Sequence, residues 1–435
     1  MTGKRVLIGC AVLLLLAAIL SICLFALAPA KTSGSLDPTF NPPQGYVMST
    51  DAEDFKDRGI EVAVQPDGKI VTLGYANNSH NDDLVLSRFT AEGKTDAAFG
   101  SGGFVRYDGG DNDKGLGLTI QADGKILATG FTTHLGNRDL LLLRYESNGS
   151  LDRSFGNNGV VTFDSPGSST DIGFAVTCEA DGGIMVAGEV SNKTHQDVLV
   201  LHYTPAGILD IRFGKEGVFT YGKTGLDRGF DATIQKDEKI VVTGSTVTNR
   251  TDDALLLRIN PDGTLDQTFG RDGTVTYSSE GDRSDYGNYV ALQADGKIVV
   301  SGATTIDGAY ELLVLRYNPD GSPDVTFGDT GVIHYGDIGG NDDYGYAHVI
   351  QRDGKIVIVG YTGESTSDEV LVVRFNPSGE PDPSFGTGGR VMWNGPGNNR
   401  DYGQGIALQP DGKIVVTGFS HHNASEDLLV MRLLP

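Results

Sequence analysis

Apolar residues along this chain come in short consecutive runs, set between polar segments rich in glycine, aspartate and proline. The stretch from Gly331 to Gly389 shows the unit. Gly345-Tyr-Ala-His-Val-Ile-Gln351 predicts a first strand, and Asp353-Gly354 is a tight-hairpin signal because glycine accepts positive φ at the turn. Lys355-Ile-Val-Ile-Val359 predicts a second strand, Val370-Leu-Val-Val-Arg-Phe375 a third, and Gly389-Arg-Val-Met-Trp393 a fourth. Short β-branched segments between turn residues indicate an all-β repeat, and no segment of the unit has helical period. The second and third strands are apolar at successive positions, so both of their faces must be covered. Sheets arranged radially meet that demand, since each packs between two neighbours.

The unit recurs seven times. Its signature, Gln293-Ala-Asp-Gly-Lys-Ile-Val-Val-Ser-Gly302, returns at 65–74, 121–130, 179–188, 235–244, 351–360 and 409–418, with starts 56 or 58 residues apart. A fixed period of this size marks a solenoid, propeller or array. The ends of the chain decide among these. Six third strands are followed by Asp-x-x-Phe, at Asp96/Phe99, Asp152/Phe155, Asp210/Phe213, Asp266/Phe269, Asp324/Phe327 and Asp382/Phe385. The seventh copy stops at Pro435, and its missing continuation stands at the other end: Asp37-Pro-Thr-Phe40 supplies the motif and Gly45-Tyr-Val-Met-Ser49 the fourth strand. An open array has no reason to divide one repeat between its termini; a closed ring does, and closure removes exposed edges. The expected fold is an all-β, seven-bladed β-propeller of four-stranded antiparallel blades, closed by an N-terminal strand. Residues 31–435 form the propeller, and residues 1–30 precede it as an apolar export or anchor helix.

Asp-Gly-Lys-Ile-Val followed by Leu-Leu-Arg-Tyr-Asn-Pro-Asp-Gly-Ser-x-Asp-x-Thr-Phe-Gly resembles the delta-60 repeat of bacterial exported proteins. The resemblance covers residues 33–435, with local departures at Gly183 and Glu238. It implies a bacterial surface or secreted propeller and carries no catalytic residues to transfer.

Residues Val6–Ala28 are almost wholly apolar and follow Lys4 and Arg5. That pattern is a cleaved signal peptide, ending at Ala28-Pro29-Ala30, or an uncleaved transmembrane signal anchor. Either reading places the propeller outside the cytoplasm, secreted, periplasmic or on the cell surface, with residues 6–28 its membrane contact when uncleaved. The net charge of −23 argues against nucleic acid as a partner. Of the three cysteines, Cys10 and Cys23 lie in the export segment and Cys178 reads as a core residue, so no disulfide framework is expected.

Three sets of polar residues are candidates for chemistry. Asp57, Asp113, Asp171, Asp227, Asp285, Asp343 and Asp401 begin the seven first strands in an Asp-x-Gly motif. The first strand is innermost in a propeller, so these carboxylates are expected around the upper mouth of a channel, as turn formers or as ligands for calcium, the hard cation that oxygen favours. A second acidic set, Asp83, Asp139, Asp197, Asp253, Glu311, Glu369 and Asp427, precedes by five residues Arg88, Arg144, His202, Arg258, Arg316, Arg374 and Arg432. These are expected to form an ion-pair lattice between strands or blades. His80, His134, His195, His421 and His422 fall in second-to-third loops of neighbouring blades and are candidates for a transition-metal site. Asp108-Gly-Gly-Asp-Asn-Asp-Lys-Gly115 looks calcium-like but misses the twelve-residue hand pattern, so its aspartates read as loop formers. No familiar catalytic string is present.

Two functions remain in view: a monomeric, non-catalytic scaffold binding a protein or polymer ligand on one loop face, and an extracytoplasmic metal-dependent hydrolase or lyase working at the channel mouth. A structural role in the cell envelope is a third. An enzyme should show one pocket where a few polar residues break the seven-fold pattern; a scaffold should show a symmetric mouth.

Overall fold

The computed structural model describes residues 32–49, 56–167, 170–191, 195–222, 225–248, 250–281, 283–336, 340–363, 367–397, 399–422 and 425–435. The export or anchor segment lies outside the described residues. Among those described there is no helix, and none long and apolar enough to cross a membrane.

The described strands pair as four-stranded antiparallel meanders. In the first, Asp57–Val64, Ile70–Asn77, Asp82–Phe89 and Phe104–Tyr107 lie in that order from the inside outwards. Two consecutive meanders join into one eight-stranded sheet through a single parallel pairing of Thr170 with Arg138. The inner strand of each repeat packs on the inner strand of the next, and Asp401–Leu408 packs on Asp57–Val64, so the succession returns on itself.

The outer strand of the last sheet is Tyr46–Ser49, which runs antiparallel to Ser425–Leu433 with Tyr46 opposite Met431 and Ser49 opposite Leu428. The residues leading into it continue the pairing: Gly34 N–H donates to Leu434 O at 2.9 Å and Asp37 N–H to Arg432 O at 2.8 Å. The divided repeat is thereby completed by the two ends of the chain.

The core is distributed among the interfaces between successive sheets. One cluster joins Val71, Leu73, Leu84 and Leu86 of the first sheet to Leu118, Ile126, Ala128, Leu141 and Leu143 of the second around Phe99. Each of the other clusters likewise holds one motif phenylalanine: Phe155, Phe213, Phe269, Phe327, Phe385 or Phe40. Burial of each such ring stabilises the fold by roughly 1.5–3 kcal/mol. This is why the middle strands are apolar on both faces.

The arginine lattice exists with partners other than those expected. Arg258 Nε donates to Asp266, the motif aspartate, at 2.7 Å, not to Asp253 five residues before it. Its guanidinium lies 4.6 Å from the Phe269 ring centroid, and Nη1 donates to Pro319 O of the next repeat. Arg88, Arg144, Arg316 and Arg432 repeat this staple, each onto a turn carbonyl of the following repeat. Arg374 reaches Ser33 Oγ at 2.8 Å instead, across the chain closure. The third repeat departs from the pattern: His202 contacts Glu179 at 3.0 Å and Asp210 at 3.6 Å.

The last residue of the signature is glycine in every copy because strands close there. A Cβ on Gly74 would stand 1.8 Å from Arg58 O, with the same clash at Gly130, Gly188, Gly244, Gly302, Gly360 and Gly418. Just beyond this approach each inner strand slips register. Gly59 pairs with Gly74 and Glu61 with Leu73, leaving Ile60 between them unpaired. The bulge recurs in every inner strand and turns one extra side chain out of the ladder.

Candidate ligand site in the central channel

The bulges shape a cavity of about 880 Å³ between the inner strands. Their unpaired residues are Ile60, Leu116, Phe174, Phe230, Asn288, Tyr346 and Gln404, all on its wall. Four consecutive repeats thus present apolar side chains and the next three present polar ones. The register position that follows holds Glu61, Gly117, Ala175, Asp231, Tyr289, Ala347 and Gly405. Two acids and one tyrosine stand among glycines and alanines, and the small residues give them room. A Cβ on Gly405 would lie 2.9 Å from Glu61 Cα.

Glu61 and Asp231 are surrounded by protein while keeping part of their surface open to the channel. Glu61 accepts from Val62 N–H at 3.1 Å, and Asp231 Oδ2 from Val290 N–H at 2.8 Å. Burial pushes the Glu61 carboxyl up to about 8, with the nearby Asp231 charge adding to the shift. Burial likewise pushes Asp231 up to about 7. Tyr289 is held well above the ordinary phenol range by burial and then by these two charges. Its ring meets His348 edge-on at 5.2 Å. His348 is buried, shares a 2.8 Å hydrogen bond between Nδ1 and the Ser301 hydroxyl, and leaves Nε2 without a partner. Burial lowers this imidazole to about 3, so it is neutral at physiological pH. Among the described residues, no lysine or arginine lines the cavity.

Aromatic residues continue from the wall on one side only. Tyr346 contacts Tyr344 at 4.8 Å, Tyr344 stacks on Tyr361 at 5.7 Å, Tyr361 meets Tyr402 at 4.9 Å, and Tyr402 stacks on Phe419 at 4.8 Å. Arg58 closes the arc over Phe419 at 4.4 Å and is anchored by Glu426 across the chain closure. Tyr402, the residue following an Asp-x-Gly aspartate, is held in the arc by donating to Asp368, and Tyr286 at the matching position donates to Asp252 at 3.1 Å.

The seven motif aspartates stand at or next to the start of the inner strands, and none lines the cavity. Asp113, Asp171, Asp227, Asp285, Asp343 and Asp401 are buried, and Asp57 is half-buried. They anchor the loops that precede them: Ser165 N–H donates to Asp171 at 3.1 Å, Ser279 N–H to Asp285 at 2.8 Å, and Gly395 N–H to Asp401 at 2.7 Å. Each of several also faces the second acidic set of the preceding repeat, pairing Asp113 with Asp83, Asp171 with Asp139, Asp285 with Asp253 and Asp401 with Glu369. The two acidic sets are one feature, built across the junction between repeats.

Among the described residues, the loop histidines belong to no group of three donors placed to share one ion; that arrangement occurs at Asp83, Asp108 and Asp113. His80 is exposed beside Ser79, His422 contacts Pro396 O at 2.9 Å, and His421 faces Glu426 at 3.3 Å. Cys178 is half-buried against the core, its thiol pushed up to about 11 by burial. The channel acids escape a reading of the sequence because the residue at their position differs from copy to copy. The available signal is that variation itself, four residues after the motif aspartate.

No curated protein matches the chain. The solved structure of the polysaccharide lyase Uly1 is similar at 12% identity over 89% of this chain and 93% of that one, with a TM-score of 0.49. Sqt1 from Chaetomium thermophilum is similar at 12% identity over 92% and 98%, with a TM-score of 0.45. A gluconolactonase from Xanthomonas campestris is similar at 12% identity over 87% and 97%, with a TM-score of 0.38. A family profile described as "Domain of unknown function (DUF5122) beta-propeller" matches residues 65–99, 121–155, 235–269, 293–327, 351–385 and 409–435, leaving aside the divergent third repeat. Six segments of the chain therefore match the repeat of this β-propeller family.

Proposed function

We propose that this is an extracytoplasmic seven-bladed propeller of the delta-60 kind whose central channel binds a small organic cation. The observation that carries the reading is the wall itself: two carboxyls with no basic counterpart, set among Phe174, Phe230, Tyr289, Tyr344 and Tyr346. Buried carboxylates call for a compensating charge. Aromatic faces attract ammonium groups, by about 2 kcal/mol or more when desolvated. Asn288 and Gln404 supply amide donors and acceptors that orient a polar tail. A break in the seven-fold pattern thus lies inside the channel, which favours small-ligand capture over a scaffold that holds a polymer on its loops.

Glu61 and Asp231 are partly protonated near neutrality, so cation binding must expel protons. Titration calorimetry of amines and quaternary ammonium compounds, in buffers of high and low ionisation enthalpy, tests this directly. Proton release is expected on binding, with affinity rising from about pH 6 to about pH 8.5. Glu61→Gln with Asp231→Asn is expected to weaken binding about tenfold or more. Equal binding of a neutral polyol of the same size, undisturbed by those substitutions, would refute the reading.

A further inference from the structure

The junction between the first two repeats brings together Asp83 from a third strand, Asp113 from the next inner strand, and Asp108 from the turn between them. One oxygen from each lies within 4.8 Å of the other two. Asp83 is 1% exposed; its Oδ2 accepts from Asn78 and from Arg106, each at 2.9 Å, while its buried Oδ1 accepts no hydrogen bond. Asp113 is fully buried; Oδ2 accepts from Gly109 N–H, and Oδ1 also lacks an aligned donor, with the Thr132 hydroxyl beside it. Asp108 is exposed and spends one oxygen on Gly110 N–H at 2.8 Å. Among the described residues, three carboxylates thus meet one guanidinium, that of Arg106, because the adjacent Lys114 is engaged by Asp82 at 2.8 Å.

The repeats supply their own control. The residue after the outer strand is Ser278 at one junction, where its hydroxyl lies beside Asp253, and Asn394 at another, where it donates to Glu369 at 3.1 Å. Gly222 and Gly336 bring no side chain at all. Asp108 and Asp164 instead add a third acid to the pair. The second of these junctions differs in having Asn137 donate to Asp139 at 3.0 Å and to Asp164 at 3.5 Å. At the first, Asp83 Oδ1 accepts no hydrogen bond and Asp113 Oδ1 has only the Thr132 hydroxyl beside it; buried carboxylate oxygens without donors recur at Asp253 and Asp401, but among the described residues this junction alone brings a third carboxylate within reach of the pair.

We propose that Asp83, Asp108 and Asp113 bind a hard divalent cation, calcium, at the junction between the first two repeats. An all-oxygen donor set suits calcium, whose ligands stand about 2.3–2.6 Å away. Opposed ligands are then about 4.6–5.2 Å apart, so the observed separations accommodate one shared ion. Asp108, open to solvent, gives the ion its entry path, and the ion ties two consecutive sheets together.

The test uses the full chain, stripped with chelator and then titrated with calcium or with terbium as a luminescent probe. Saturable binding is expected, together with a calcium-dependent rise in melting temperature. Asp108→Asn, at an exposed position, is expected to leave the circular dichroism and the chelated melting temperature unchanged while weakening calcium binding about tenfold or more. Asp164→Asn is expected to leave it intact. A melting temperature indifferent to millimolar calcium, full affinity in Asp108→Asn, or loss confined to Asp164→Asn would each overturn the assignment.

Discussion

Arg258 shows how much one side chain does in this fold. It pairs with Asp266 at 2.7 Å, covers Phe269 at 4.6 Å, and donates to the turn of the next repeat. Replacement by lysine keeps the charge and loses the planar fork that serves all three partners. Arg258→Lys is therefore expected to lower the melting temperature clearly, and Phe269→Ala to cost about 3–5 kcal/mol by emptying a buried site; calorimetric unfolding measures both. The motif aspartates set the acid limit. Burial alone would raise Asp266, Asp324 and Asp382, but lysine, hydroxyl, backbone and arginine partners outweigh it and hold them well below the usual carboxylate range. Carboxyls depressed in the folded state contribute stability above their unfolded pKa of about 3.9 and lose it as pH falls below that. Unfolding midpoints should accordingly fall steeply below about pH 4. Glu61 and Asp231 act in the opposite sense. Their carboxyls are raised to about 8 and about 7, so their contribution is present in acid and is lost as pH rises through those values. Glu61→Gln with Asp231→Asn should stabilise the protein at about pH 8.5 and have little effect near pH 4; melting curves at the two pH values check the sign.

At the scale of elements, the strands were legible because each has a direct mark: a turn pair, an apolar run, a glycine. The partners of side chains were less so. Arg88 and Asp83 are five residues apart in one strand, and an odd spacing puts them on opposite faces. Arg88 instead reaches Asp96, beyond the turn, at 2.9 Å. Asp83 meets Asp113 only because two repeats adjoin, and a reading confined to one repeat cannot bring them together. The bulge was hidden for a similar reason: Asp-x-Gly names its first residue, but the slip depends on a carbonyl approaching Gly74 from the facing strand. The channel site lies just after that slip, so its legibility fell with it. An alanine at Gly74 meets that carbonyl at 1.8 Å, and Gly74→Ala should abolish soluble expression or lower the midpoint drastically, whereas alanine at the exposed Gly136, which meets nothing, should be far milder.

For the whole molecule, the division of one repeat between the termini is the most informative feature of the sequence, and the strand pairings bear it out. Tyr46–Ser49 extends the sheet that ends the chain, and Asp37 receives Arg432 at 2.9 Å and Lys413 at 3.4 Å. Removing residues 1–49 should leave Ser425–Leu433 as an unpaired edge and produce aggregation, visible by light scattering. A circular permutant that links Pro435 to Thr32 and opens the chain at the exposed Asp307-Gly308 turn should fold to the same spectrum.

The same closure imposes an order in time. The segment that completes the last sheet precedes every other described strand in the chain, and its partner follows all of them. Until Leu428–Met431 leaves the ribosome, Tyr46–Ser49 has no strand to join, and every earlier sheet waits in an arc with two open ends. A chain halted a few residues short is not slightly incomplete but unclosed. Closure of the last sheet thus waits until Ser425–Leu433 has been made.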